Sequence, residues 1–118
     1  MTKLYAYARF QNFMVAERKV SHDPAFEGCD EILSFVAEAN AAGKPVKITD
    51  LVQYIVYGTG PTVHRKCNLL IERGLLTSEV SESDRRVKVL MLTKQGHKFL
   101  ADRNNLMLQI IKETNPVI

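Results

Sequence analysis

The sequence predicts a mainly α-helical chain that carries one small antiparallel β-hairpin. Three observations lead there. Apolar residues recur at helical spacing through most of the 118 residues. Two short helical stretches, about Asp50 to Tyr57 and Pro61 to Arg73, are parted only by Gly58-Thr59-Gly60. Beyond them, two runs rich in β-formers, Leu75 to Val80 and Arg86 to Leu92, flank the small and charged residues Ser81 to Asp84. Two short helices joined by a tight Gly-bearing turn make a helix-turn-helix, and the hairpin that follows makes a wing.

Each element can be justified in order. Lys3 to Val20 holds no Gly or Pro, and Tyr7, Phe10, Phe13 and Met14 supply an apolar face, so a helix is expected. Ser21-His22-Asp23-Pro24 breaks it. A second helix restarts with Asp23 as N-cap and Pro24 at the first helical position, and runs to about Ala42. Ile32, Phe35, Val36 and Ala39 fall at core spacing on it, and Gly43 closes it. Pro45 forbids continuation, which leaves Val46-Lys47-Ile48 extended. Thr49 or Asp50 then caps the third helix, with Leu51, Val52 and Ile55 expected inward, and Gly58 ends it. Thr59 or Gly60 caps the fourth helix, with Pro61 first.

That fourth helix is the element the others serve. Val63, Cys67, Leu70 and Ile71 stand at i, i+4, i+7 and i+8, a single buried stripe. Thr62, Arg65, Asn68 and Leu69 point to the other side, and His64 and Lys66 lie on the flanks. Gly74 terminates it, the hairpin follows, and Thr93 caps a last helix to about Glu113. Along that helix Phe99, Leu100, Leu106, Met107, Ile110 and Ile111 form a sustained apolar face. In so short a chain a second copy is the natural cover for it.

Length fits one domain over 1–118, with terminal helices in 1–42, the helix-turn-helix and wing in 46–92, and the last helix in 93–114. The composition, 46% hydrophobic and 25% charged, is that of a soluble globular protein. No apolar run approaches a membrane span and no signal-peptide core follows Lys3 and Arg9, so a cytoplasmic protein without membrane contact is expected. The net charge of +3 is unevenly spread. Residues 1–42 hold 4 Lys/Arg against 6 Asp/Glu, residues 43–98 hold 10 against 5, and residues 99–118 hold 2 of each. A basic excess confined to the centre suggests a polyanion-facing surface.

The wing and its flanks carry a resemblance. Ile71-Glu72-Arg73-Gly74-Leu75-Leu76, then Asp84-Arg85-Arg86, then Leu92-Thr93-Lys94-Gln95-Gly96 resemble the wing region of MarR-family winged-helix regulators. The likeness extends over about Glu31 to Leu100, with one helix after the wing where many relatives have two. It implies a winged helix-turn-helix with N- and C-terminal dimerisation helices. As partners it implies double-stranded DNA, a second copy and, as in many relatives, a small-molecule effector. Leu106, Met107, Ile110 and Ile111 would lie in the dimer interface. Arg85 or Arg86 would reach into or beside the minor groove, and Asp84 would hold the neighbouring guanidinium, a structural role.

Residue chemistry gives each site a reading and a plain alternative. Arg65 and Asn68 suit guanine and adenine edges, and Thr62 a base or a phosphate, yet each is equally a type found on solvated helix faces. His64 and Lys66 suit phosphates. Arg85 and Arg86 suit the backbone or minor groove, or form an ordinary hairpin charge pair. Cys67 is expected in the core, and neither it nor Cys29 has a pattern that would activate its thiol. His22, His64 and His97 are single and scattered, so no metal site is expected, and no cofactor. With no nucleophile–base pairing and no phosphate-binding Gly-rich loop, an enzyme is not expected. The function read from the sequence is a sequence-specific DNA-binding transcriptional regulator. The alternatives are a winged-helix protein–protein interaction module and a sequence-tolerant DNA-binding protein of a mobile element.

Overall fold

A computed structural model describes residues 5–21 and 23–114. The elements in order are α1 (Ala6–Ser21), a 3-10 turn (Pro24–Phe26), α2 (Cys29–Ala41), α3 (Ile48–Val52), a second 3-10 turn (Ile55–Tyr57), α4 (Gly60–Glu72), β1 (Leu76–Val80), β2 (Lys88–Leu92) and α5 (Lys94–Thr114). The fold is mostly helical with a two-stranded antiparallel sheet, as the sequence predicts. Lys3 and His22, where the first helix and its break were expected to begin and end, lie outside the described residues.

The chain forms two compact units. Ala25–Phe99 is one; α1 together with α5 from Leu100 onward belongs to the other. In the first unit lie all the fully buried apolar side chains among the described residues: Cys29, Ile32, Leu33 and Val36 of α2, Leu51 of α3, Val63, Cys67 and Leu70 of α4, Leu76 and Leu90 of the hairpin, with Val46 beside them. In the second, Arg9 pairs with Glu113 at 3.1 Å and Arg103 with Glu17, so α1 and α5 are clasped near both ends.

The hairpin is built from Leu76↔Leu92 to Val80↔Lys88. Its second strand needs partners on its outer edge, because residues 90 and 92 turn their backbone groups away from β1. Val46 takes one: the Leu90 N–H donates to its carbonyl at 2.8 Å. The Asn40 amide takes two more, accepting the Leu92 N–H at 2.9 Å and donating to the Leu90 carbonyl at 3.4 Å. Thr93 then caps α5. Its hydroxyl accepts the Gly96 N–H at 2.9 Å and donates to the Gly74 carbonyl at 2.5 Å. Gly96 has to be glycine here, since a Cβ would stand 2.3 Å from the Leu75 carbonyl oxygen.

Several boundaries differ from the sequence reading, each for a local reason. The second helix begins at Cys29, not Pro24, because Gly28 sits at φ 81° and interrupts the helical path. Its missing Cβ also admits the Lys66 side chain, whose ammonium lies 2.5 Å from where that Cβ would be. The third helix is shorter and starts earlier. Lys47 is its N-cap residue, and the Asp50 carboxylate accepts the Lys47 N–H at 2.8 Å, so Asp50 caps from the third helical position. The helix unwinds at Tyr54 (φ −101°, ψ 113°), and helical phase is lost beyond it. Ile55, expected inward, is therefore 94% exposed and Val52 36%, while Leu51 is buried as expected. Tyr54 and Tyr57 instead pack their rings on Phe35, each at 5.8 Å. Thr59 is the cap residue of α4 and Pro61 its second residue rather than its first. The strands are shorter than expected, and the turn runs from Ser81 to Val87, closed by the Ser81 N–H to the Val87 carbonyl at 2.8 Å.

Asn40→Ala should lower the unfolding free energy by about 1–3 kcal/mol, since it orphans part-buried backbone groups of β2. Chemical denaturation measures that loss, and hydrogen exchange should show the Leu92 amide losing protection first. Unchanged stability together with an unchanged Leu92 amide would refute the role given to Asn40.

Candidate nucleic-acid interface

The geometry of α4 follows from its stripe. Val63, Cys67 and Leu70 are fully buried, while Ile71 is half-buried at the stripe's margin. The opposite face is rotated slightly from the one read off the sequence. Pro61, His64, Arg65, Asn68 and Glu72 are exposed, at i, i+3, i+4, i+7 and i+11, whereas Thr62 and Leu69 recede to half-burial. His64 thus stands on the open face with Arg65 and Asn68 rather than on a flank. The first turn of α4 holds no acidic residue, so its N-terminal end presents partial positive charge without a competing carboxylate. Glu72 lies at the far end, which leaves the N-terminal two turns as the part suited to an anionic partner.

The remaining polar groups of α4 have duties inside the chain. The Lys66 ammonium donates to the Tyr57 carbonyl at 3.3 Å, across the helix-turn-helix turn, and is half-buried. It is thereby turned away from the open face. Arg65 spends one of its five N–H donors on the Ala25 carbonyl at 3.3 Å and remains exposed. The Thr62 hydroxyl accepts a hydrogen bond from the Thr59 hydroxyl at 3.2 Å.

In the wing, Asp84 grips Arg86. One carboxylate oxygen accepts the Arg86 backbone N–H at 3.0 Å and its Nε–H at 3.2 Å, and the other accepts from Nη2 at 3.3 Å. This is a two-pronged, charge-assisted contact of the kind that fixes a guanidinium plane. The Arg86 side chain is nevertheless 90% exposed, so it is oriented yet open to a partner. Those hydrogen bonds hold the Asp84 carboxyl below the usual carboxylate range. Arg85 is exposed and has no ion-pair partner among the described residues. The acidic Glu79 and Glu82 are exposed as well.

Cys29 and Cys67 are both buried, and the Cys29 thiol is directed at the Lys66 carbonyl at 3.9 Å. Burial pushes both thiols up, Cys67 to about 11, so neither is a thiolate near neutral pH. Among the described residues no group of His, Cys, Asp and Glu is arranged to hold a metal, and no helix is long and apolar enough to cross a membrane.

The arrangement of a half-buried helix, a Gly-bearing turn and a wing has counterparts among solved structures. The heme sensor protein PefR from Streptococcus agalactiae, in complex with heme, superposes with a TM-score of 0.63 at 14% identity, over 95% of this chain and 75% of that one. MepR from S. aureus, bound to ethidium bromide, gives 0.58 at 20% identity, over 94% and 79%. Both are MarR-family winged-helix regulators. This chain has their fold. No protein-family model and no curated protein matches the sequence. The MarR-type fold thus stands on backbone geometry, and the assignments of individual residues rest on chemistry.

Sequence reasoning missed two contacts that position this site, Asn40 on β2 and the Ala25 carbonyl under Arg65. Asp50, one of the two residues expected to cap α3, does so from the third helical position rather than as the cap residue itself. Because its folded-state pKa is depressed, the Asp84 clamp is retained above the ordinary carboxylate pKa and released as pH falls through the lowered value. The Arg86 Nε–H resonance should therefore hold steady from pH 7 to pH 5 and shift only in stronger acid. In Asp84→Asn it should sit at the released position throughout. A wild-type shift centred near pH 5 would contradict the clamp.

Proposed function

We propose that the protein is a cytoplasmic, sequence-specific DNA-binding transcriptional regulator acting as a homodimer of single winged-helix domains. The observation that carries this reading is the face of α4, where His64, Arg65 and Asn68 stand exposed over a stripe buried in the core. A helix about 10–12 Å across fits a B-DNA major groove about 12 Å wide. Arg65 would pair with a guanine edge and Asn68 with an adenine edge, and His64 and Thr62 would meet phosphates. Arg86, oriented by Asp84, would enter or border the adjacent minor groove, with Arg85 on the backbone. Lys66 is left out of the contact set because its ammonium is committed to the Tyr57 carbonyl.

Dimerisation through the terminal helices is supported by their apolar exposure. Leu106 and Met107 are each 39% exposed and Ile111 42%, with Ile110 half-buried among them. Tyr5, Tyr7 and Val15 at the other terminus are exposed too. A symmetric pair would bury such a surface and set two recognition helices on the half-sites of a pseudo-palindrome. PefR and MepR were solved with heme and ethidium, which supports a small-molecule effector as part of the same reading.

Fluorescence anisotropy on random-sequence duplex at several salt concentrations is the direct test, followed by selection of the cognate site. A log–log slope of about −4 or steeper is expected for a dimer that neutralises several phosphates. Absence of binding at low salt would reject DNA as the partner. Arg65→Ala should cost about 1–3 kcal/mol on the selected site and little on random duplex, whereas an equal loss on both would make Arg65 a phosphate contact. The double variant Leu106→Glu/Ile111→Glu should sediment as a monomer at concentrations where the wild type is a dimer, and a surviving dimer would place the interface elsewhere.

A further inference from the structure

A shallow cleft opens between the start of α3 and the wing. Leu90 and Ile48 form its floor, and Lys47, Thr49, Ser78 and Lys88, all exposed, form its rim. Strand periodicity explains why a lysine stands there. Alternate residues of β2 share a face, so Lys88 is on the same side as Leu90, which is 1% exposed, and hangs over the edge of the core. Ser78 is the cross-strand partner of Leu90 and lies on that side also. Glu79, one residue on, faces the other side of the hairpin. Lys47 approaches from the opposite wall, its backbone extended (φ −99°, ψ 155°) and its N–H held by the Asp50 carboxylate. Neither lysine has an ion-pair partner among the described residues. Two lysines, a threonine and a serine thus line one shallow depression, together with Ile48, Val87 and Leu90, and no carboxylate is among its lining residues.

We infer that this cleft is a seat for a single phosphate group, with Lys47 and Lys88 supplying charge and Thr49 and Ser78 donating hydrogen bonds. On the DNA-binding reading above, on which this source depends, the phosphate belongs to the DNA backbone. The backbone is what separates the major groove taken by α4 from the minor groove approached by Arg86. Lys88 is only two residues from Arg86, at most about 7 Å along the chain. The same chemistry would hold a free phosphate or a small phosphomonoester.

The test compares wild type with Lys47→Gln/Lys88→Gln, and with Lys94→Gln/Lys98→Gln, which removes equal charge from α5. Circular dichroism confirms that each is folded. Salt-dependent binding to random duplex is then measured. The cleft variant should lose about 0.9 from the slope per protomer, one phosphate's worth, and the α5 variant should not. Free phosphate is tested separately. Inorganic phosphate is titrated at constant ionic strength while the Thr49 and Ser78 amide resonances are followed. A saturable shift in wild type that vanishes in the cleft variant, with the DNA slope unchanged, assigns the seat to a free ligand. An unchanged slope with no phosphate-dependent shift overturns the seat, even if wild type binds DNA as expected. Failure of wild type to bind DNA at all is a separate result, which sinks the DNA reading and leaves the phosphate titration to decide the cleft.

Discussion

The outer edge of β2 is the constraint on which the placement of the wing depends. A two-stranded hairpin is marginal in water by itself, and nothing within it fixes where its tip points. Val46 and the Asn40 side chain supply the missing partners of residues 90 and 92, and so tie the wing to the chain that leaves α2. With that edge satisfied, Leu90 is held in the core beneath α2 and α3, and Lys88 is carried to the rim of the cleft. The same tether fixes the end of β2, where Thr93 bonds both the Gly74 carbonyl and the first turn of α5. Wing direction, cleft and the start of α5 therefore share one origin in a single asparagine and one bridging valine.

The formal charge of the central segment overstates what it offers a polyanion. Of its cations, Lys66 caps a carbonyl, Arg73 lies over the Phe26 ring at 4.7 Å, and Arg86 is gripped by Asp84. The exposed remainder includes Arg65 on the α4 face, Arg85 on the wing, Lys47 and Lys88 at the α3–β2 cleft, Lys44 after α2, and Lys94 and Lys98 on α5. The Asp84–Arg86 pair is surface-exposed, and its interest is less in stability than in preorganisation. A guanidinium already held in one plane loses less rotamer freedom on meeting a partner than a free arginine does. The two buried cysteines contribute packing. Their raised pKa values follow from the same apolar surroundings that make the α4 stripe a core element.

Much of the fold was legible because it is written in periodicity and punctuation. The Val63, Cys67, Leu70 stripe, the closures at Gly43, Gly58 and Gly74, the hairpin and the Thr93 cap all follow from local rules. The resemblance to MarR-family wings also singled out Asp84 as the holder of a wing arginine, though it left open which one. The boundaries that slipped were those where two local signals compete. Pro24 offers a helix start, yet Gly28, two residues past the turn Pro24–Phe26, takes a positive φ and postpones it to Cys29. The run from Gln53 to Tyr57 reads as helix, yet the chain opens at Tyr54 into a 3-10 turn, with Tyr54 and Tyr57 both packed on Phe35.

The sequence by itself determined which face of α4 is buried, that a wing follows it, and that cations gather in residues 43–98. These properties depend on residue spacing and type, which need no knowledge of distant neighbours. Only the tertiary structure decided which cations are open. The Lys66 ammonium meets a carbonyl nine residues away, Arg65 reaches one forty residues away, and the wing leans on an asparagine about fifty residues upstream. Contacts at such separations leave no periodic trace in a single chain, because the partners are brought together only when the intervening elements have packed.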